Sequence, residues 1–331
     1  MSVTSFAALL KDSQNSDLPV TISSKDGKDS INGILSIFMY TFCSVSMIIG
    51  NKFISTSIPP ESKRNLPQIS IIAFQCIFAV VFCELARSTK IISYSSFSVS
   101  KAKQWLPVNI MFIGMLCTGF LSLIYVNVPM VTVTKNCANL LTVFGEAYIF
   151  EKSTTMLTII SVILMTIAAV AAGINDLEFN ITGYFFLGLN CFCTSAYVLL
   201  MTYASNKIKW ENWEKIYYNN LLSFIILLPY CIYSGEIVRA INDPALMTYK
   251  FFFLNLVCAF IGFYLNFASL WCTAATSATT YAIVGSLNKV PITFLGFMFF
   301  DTKMTMEGIL FILLATCAGF LYAYSKLPAT R

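Results

Sequence analysis

The sequence predicts an all-α integral membrane protein of ten transmembrane helices, arranged as two inverted five-helix repeats. Three observations predict it: the composition, the length of the apolar runs, and an internal similarity at a fixed offset. Of its residues, 57% are hydrophobic and 11% charged, with a mean hydropathy of +0.74. A soluble domain carries about 25% charged residues, so a water-soluble globule is excluded.

The apolar runs are roughly 20 residues long, the length a helix needs to cross a bilayer core at about 1.5 Å per residue. They predict helices at about 31–53, 68–87, 105–125, 131–150, 154–174, 181–203, 214–233, 249–271, 278–300 and 304–325. Residues 1–30 are polar and mix Ser, Asp and Lys. They lack the basic region and short apolar core of a cleavable signal, so a disordered tail is expected, with the first helix as the insertion signal. The transporter domain is then 31–325, with repeats at about 31–174 and 181–325, followed by a short tail at 326–331.

Lysines and arginines set the expected orientation, because cytoplasmic loops are enriched in them. One side carries thirteen: Lys11, Lys25, Lys28, Arg87, Lys90, Lys101, Lys103, Lys152, Lys207, Lys209, Lys215, Lys326 and Arg331. The other carries six: Lys52, Lys63, Arg64, Arg239, Lys250 and Lys303. Both termini are therefore expected in the cytosol, which agrees with an even number of spans. Ten of the eleven cysteines lie in the predicted helices, Cys272 is one residue beyond the eighth, and there is no histidine, so disulfide frameworks and zinc sites are not expected. Cys191 and Cys193 read as packing residues, and no cofactor is implied.

Shifting the chain by 150 positions aligns Gly33, Phe42 and Cys43 with Gly183, Phe192 and Cys193, and Phe150, Thr155 and Met156 with Phe300, Thr305 and Met306. Halves of five helices must enter the membrane from opposite sides. Transporters use such inverted repeats to expose a midplane site to either side in turn.

Two lysines, Lys135 and Lys289, lie inside predicted helices four and nine. A charge near the bilayer centre costs at least about 2.5–3.5 kcal/mol on insertion scales and usually faces a cavity or a partner. Lys135, Asn139, Thr142 and Glu146 form one helical stripe. Tyr281, Gly285 and Asn288 form another, with Lys289 one step round. Helix seven opens YYNN, in which Tyr217 and Asn220 share a face and Asn219 turns toward a neighbouring helix or the backbone. Tyr40 and Asn190 occupy equivalent repeat positions. On the bland reading these groups satisfy one another, with Lys135 paired to Glu146 or Glu84 and the asparagines joining helices. On the functional reading, two lysines from equivalent helices meet at one cavity. They outnumber the single acid there, Glu146, so an anion of about two negative charges fits. Lysine suits phosphate as a point charge, Asn can read a base edge and Tyr can stack on it, and Gly285 leaves room for a ligand. A nucleotide follows from that chemistry, without its base.

YYNN at 217–220 and GSLNK at 285–289 resemble the FYNN and GALNK motifs of the Golgi GDP-mannose transporters, in the nucleotide-sugar branch of the drug/metabolite transporter superfamily. The similarity runs from NKF at 51–53 through TVTKN at 132–136 to YAYSK at 322–326. It implies a ten-helix antiporter in the Golgi membrane that brings GDP-mannose into the lumen in exchange for GMP. It further implies that Tyr218, Asn219, Asn220 and Ser269 hold the nucleotide. Gly285, Ser286, Asn288, Lys289, Tyr281, Lys135, Asn136, Tyr40 and Asn190 would hold the sugar and phosphates. Ser286 stands where alanine is usual and Val131 where some relatives carry an aromatic, so sugar choice is less firmly implied than guanine.

A UDP-sugar or triose-phosphate carrier of the same superfamily, or one for GDP-fucose, is the nearest competitor. A membrane-embedded glycosyltransferase or phosphatase using Glu146, Asp176 or Asp301 lacks histidine, an acidic pair and room in its loops. A seven-helix receptor has too few spans. Membrane lipid is the expected surrounding and nucleic acid is not expected as a partner. Gly114 and Gly119 permit helix association without requiring it, so a homodimer stays open. The Asn180-Ile-Thr182 sequon lies too near the membrane to favour glycosylation.

Overall fold

The computed structural model describes residues 27–56, 68–90, 92–151, 154–207, 210–244, 246–276, 284–285, 287–300 and 305–325. Every regular element among them is a helix. They are α1 (Gly27–Thr56), α2 (Gln68–Ser88), α3 (Val99–Tyr125), α4 (Val128–Thr134), α5 (Asn136–Ile149) and α6 (Met156–Ile174). After these come α7 (Ile181–Lys207), α8 (Asn212–Tyr233), α9 (Glu236–Asn242), α10 (Tyr249–Ala275), α11 (Lys289–Phe299) and α12 (Met306–Ser325). Seven of these, α1, α2, α3, α6, α7, α8 and α10, are long and apolar enough to cross a membrane, and α11 and the apolar part of α12 are shorter.

Three departures from the sequence reading have local causes. The third helix starts at Val99, six residues before the apolar run, because Ala102 and Trp105 are buried while the intervening positions stay more exposed. Amphipathic turns of this kind lower the mean hydropathy without ending the helix. The expected fourth helix is two helices. Asn127 caps α4 by accepting from the Met130 amide at 3.0 Å, with Pro129 in the first turn, and the chain breaks again at Lys135. The short α9 follows Gly235, whose φ of 68° suits glycine. Of the expected tails at 1–30 and 326–331, residues 27–30 belong to α1 and the rest lie outside the described residues, as do Tyr281 and Ser286 of the expected ninth helix.

Helix α3 packs on α7, α1 on α10, α6 on α12 and α2 on α8. Helix α10 also meets α2, α3 meets α8, and α11 meets α4. At one end of the bundle Lys101 binds Glu214 at 2.5 Å, Glu214 also accepts from Ser95, and Arg87 lies 3.6 Å from Glu84. At the other end Lys52, buried in α1, donates to the Leu123 and Val126 carbonyls at 2.8 and 2.9 Å. These are the terminal carbonyls of α3, where a cation is favoured. Beside it Asp176 accepts from Tyr184 Oη at 2.8 Å and from Asn127 at 3.4 Å. The outer face of α6 shows Ile160, Ile163, Ile167, Val170 and Ile174, all exposed, the apolar stripe a bilayer requires.

The α3–α7 contact depends on small residues. A Cβ at Gly114 would meet Cys193 Sγ at 2.9 Å, and one at Gly119 would meet Asn190 Nδ2 at 3.0 Å. Both glycines thus serve packing within the chain. At Gly183 a Cβ would lie 2.6 Å from Val126 and 2.7 Å from the Tyr125 side chain. Gly183→Leu is therefore expected to destabilise by about 1–3 kcal/mol through overpacking. Gly188→Ala, with nothing within 4 Å, leaves stability unchanged or raised. Thermal unfolding in detergent separates the two.

Candidate functional site

The site is built where two helices begin. Helix α11 starts at Lys289 directly after Asn288, and α5 starts at Asn136 directly after Lys135. The Lys289 ammonium donates to the Asn136 side-chain oxygen, joining the two N-termini across a gap of more than 150 residues in the sequence. Lys135 immediately precedes Asn136, so the two lysines flank this one junction. The Asn288 and Ile292 amides keep four-residue bonds across the start of α11, as does the Lys135 amide ahead of α5, so it is the charge of the two lysines that makes this an anion-favouring position.

The break in front of α5 is held from α7. Lys135 is helical but tight, with φ −58° and ψ −14°, and the Ala138 amide bonds to the Lys135 carbonyl at 3.2 Å, a three-residue turn rather than a four-residue one. The Cys191 thiol donates to the Thr134 carbonyl at 3.3 Å and Ser195 Oγ to the Ala138 carbonyl at 2.7 Å. Asn136 is buried, and Thr132, Val133, Thr293, Ala315, Thr316 and Gly319 close a small cavity around it and Lys289. A water centre has about 10 Å³ there, room for about one water molecule. On the other side of the break, Thr134 and Cys137 border a larger apolar groove of about 440 Å³ against the end of α6.

The other expected site residues fall into two groups. Close to the junction, Asn288 is 3% exposed and its Nδ2 has no hydrogen-bond partner. Gly285 faces Tyr40, whose hydroxyl would lie 3.4 Å from a Cβ placed there. Tyr40 packs with Val284, Ala268 and Cys272. Ser269 donates to its own helix at the Asn266 carbonyl. Further off, Asn190 donates to the Met115 carbonyl at 2.7 Å and lies 3.3 Å from Thr118 Oγ1, so its amide side serves the α3–α7 contact.

YYNN forms a buried aromatic knot. The Tyr218 ring is fully buried between Phe97 and Trp210, and its hydroxyl accepts from the Ser98 amide at 2.8 Å. Asn219 accepts from Trp105 Nε1 at 2.7 Å and donates to Tyr197 Oη at 3.1 Å, the neighbouring-helix bonding expected of it. Asn220 donates back to the Ile216 carbonyl at 2.8 Å. Glu84 is engaged by Arg87 and by the Tyr94 hydroxyl at 3.2 Å, which removes it as a partner for Lys135.

Trp105, Cys191 and Ser195 hold these motifs in place, and the sequence reading gave none of them that role. The available signal was one tryptophan in the polar first turns of α3, and a small polar residue one turn after Cys191 in an otherwise apolar helix.

The family described as Triose-phosphate Transporter matches residues 32–323. GDP-mannose transporter 1 of Neosartorya fischeri is 30% identical over 315 residues, covering 89% of this chain and 81% of the relative. Two GDP-mannose transporters of Arabidopsis thaliana are each 32% identical, covering 87% and 89% of this chain and 77% and 89% of the relatives. One solved structure, described only as the crystal structure of a protein, shares the fold with a TM-score of 0.52. It covers 91% of this chain and 99% of its own, at 11% identity.

Asn219→Leu removes the partner of a buried indole N–H, and should lower stability by about 1–3 kcal/mol. Asn220→Leu removes only a bond within its own helix and costs less. The comparison of their unfolding temperatures tests the knot.

Proposed function

The chain belongs to the triose-phosphate transporter family, and from that premise we propose that it is a nucleotide-sugar antiporter. In this reading it moves GDP-mannose into the Golgi lumen in exchange for GMP. The observation that carries the reading is the junction of Lys289 with Asn136 beside Lys135, an anion-favouring point where the chain's two halves meet.

The proposed architecture is ten spans in two inverted repeats. Helix pairing supports it: at an offset of about 150, α1 corresponds to α7 and α3 to α10. Helix α1 packs on α10 and α7 packs on α3, so each pair becomes the other when the halves exchange. Two such halves can rock about the junction. Both termini are placed in the cytosol on the distribution of lysine and arginine.

The roles follow the chemistry. Lys289 and Lys135 hold the phosphates, with Asn136, Asn288, Gly285, Ser286, Tyr281, Tyr40 and Asn190 around the sugar and phosphates. Tyr218, Asn219, Asn220 and Ser269 serve the guanine. The YYNN side chains are engaged by protein groups in this state, so guanine must exchange with those partners: the Asn219 amide leaves Trp105 and Tyr197 to meet the base edge. GDP-mannose and GMP each carry about two negative charges, and one-for-one exchange is nearly electroneutral. An empty site leaves two lysines uncompensated in a medium that disfavours them, which makes the crossing without cargo slow and the exchange obligate.

Named relatives that carry GDP-mannose support the cargo. The wider family description, triose phosphate, keeps a phosphorylated sugar as the second reading, since the lysines would serve either. Purified protein in liposomes preloaded with GMP should take up labelled GMP. GDP-mannose, GDP-fucose and GDP should compete, and UMP, CMP and triose phosphate should not. Equal competition by UMP rejects guanine recognition, and competition by triose phosphate alone selects the second reading. Lys289→Ala should reduce exchange at least about tenfold, the loss of one charge-assisted contact of about 1.5–3 kcal/mol; normal exchange would sink the phosphate assignment.

A further inference from the structure

Outside the proposed site four amide side chains keep a buried atom unpartnered: Asn51 Oδ1 in α1, Gln75 Nε2 in α2, Asn109 Oδ1 in α3 and Asn255 Oδ1 in α10. Such orphans are rare in folded proteins and ask for an explanation. Of these, Asn51, Gln75 and Asn255 stand at one level. Asn51 lies five residues before the end of α1, Gln75 seven after the start of α2 and Asn255 six after the start of α10. At about 1.5 Å per residue each sits within roughly 11 Å of the same end of the bundle.

Contacts fix the register independently. A Cβ at Gly50 would meet Cys258 Sγ at 2.7 Å, and one at Gly262 would lie 3.3 Å from Met47 Cε, so α1 runs against α10 with Asn51 within a turn of Asn255. The Phe74 and Phe252 rings are 6.0 Å apart, which sets Gln75 beside the same turn of α10. Each amide also shares its helix face with residues of one apolar cluster: Ile54 in α1, Ile71 and Ile72 in α2, Phe251 and Cys258 in α10. Three polar groups on three helices therefore lie along one apolar seam.

From this we infer that the α1–α2–α10 seam is the path by which the cargo leaves at this end, closed in the present structure. In the other state the seam opens and the three amides face water and the hydroxyl groups of a passing solute. The chemistry agrees, since an amide offers both a donor and an acceptor to sugar hydroxyls. An orphaned polar atom also raises the energy of the closed state alone, which keeps the two states closer in energy. Lys52, next to Asn51, turns instead to the α3 carbonyls and latches the neighbouring edge. The inference rests on the transport reading of the previous section.

Cys258 is a native reporter: it is fully buried against Gly50. In proteoliposomes, a hydrophilic maleimide applied with and without GMP on both sides, followed by peptide mass spectrometry, should alkylate Cys258 several-fold faster during exchange. Separately, Asn51→Leu, Gln75→Leu and Asn255→Leu should slow GMP exchange several-fold while leaving the unfolding temperature equal or higher, because each removes an orphan. A merely structural amide would not give that combination. Unchanged exchange in the leucine variants, with Cys258 protected under all conditions, overturns the inference. If the wild-type protein takes up no GMP, the nucleotide reading has failed. Cys258 labelling against phosphate-loaded and unloaded vesicles then still decides the path: labelling in either keeps it and protection in both rejects it.

Discussion

The arrangement depends on holding two positive charges inside an apolar bundle. A lysine at that depth costs at least about 2.5–3.5 kcal/mol, and this chain carries the cost twice, at Lys135 and Lys289. Neither stands on a plain run of helix. Lys289 begins α11 and Lys135 immediately precedes α5, and Asn136 accepts the Lys289 ammonium. Two like charges so placed lower the stability of the bundle, and in the proposed reading an anionic cargo offsets them.

That requirement explains the break between α4 and α5. An unbroken helix would satisfy the Thr134 carbonyl in its own ladder, whereas the Ala138 carbonyl, already inside α5, also accepts from Thr142 Oγ1. Here α7 supplies the Cys191 thiol and the Ser195 hydroxyl to those carbonyls, and glycines at 114, 119 and 183 allow α7 and α3 to approach. The small residues along α3 and α7 and the charged residues of α5 and α11 are thus parts of one construction. The buried YYNN knot is the second part. It joins α8 to α3 through Trp105, Asn109 and Ser223 as well as Asn219, and any opening of that end must move it.

Much of this was legible in the sequence, and unevenly so. Apolar length located the seven helices that are long enough to span, because the bilayer imposes one dimension on all of them. The two lysines announced themselves by their cost, and Asn219 was readable as a residue facing a neighbouring helix. The break at Lys135 was not readable, because it needs donors from α7 more than fifty residues away. Burial of Tyr218 against Ser98 escaped for the same reason. The early start of α3 was hidden by its polar turns. Asn51, Gln75 and Asn255 carried a visible signal, an amide among apolar residues of a helix, yet only packing brings them to one level.

The most direct test of the account is equilibrium binding of GMP against guanosine to the purified wild-type protein, Lys289→Gln and Lys135→Gln. The wild type should prefer GMP strongly, since only GMP brings a phosphate to the two lysines, and each substitution should erode that preference while leaving guanosine binding unchanged. A preference for GMP that survives both substitutions would contradict the assignment of the lysines to the phosphate and with it the central role of the junction.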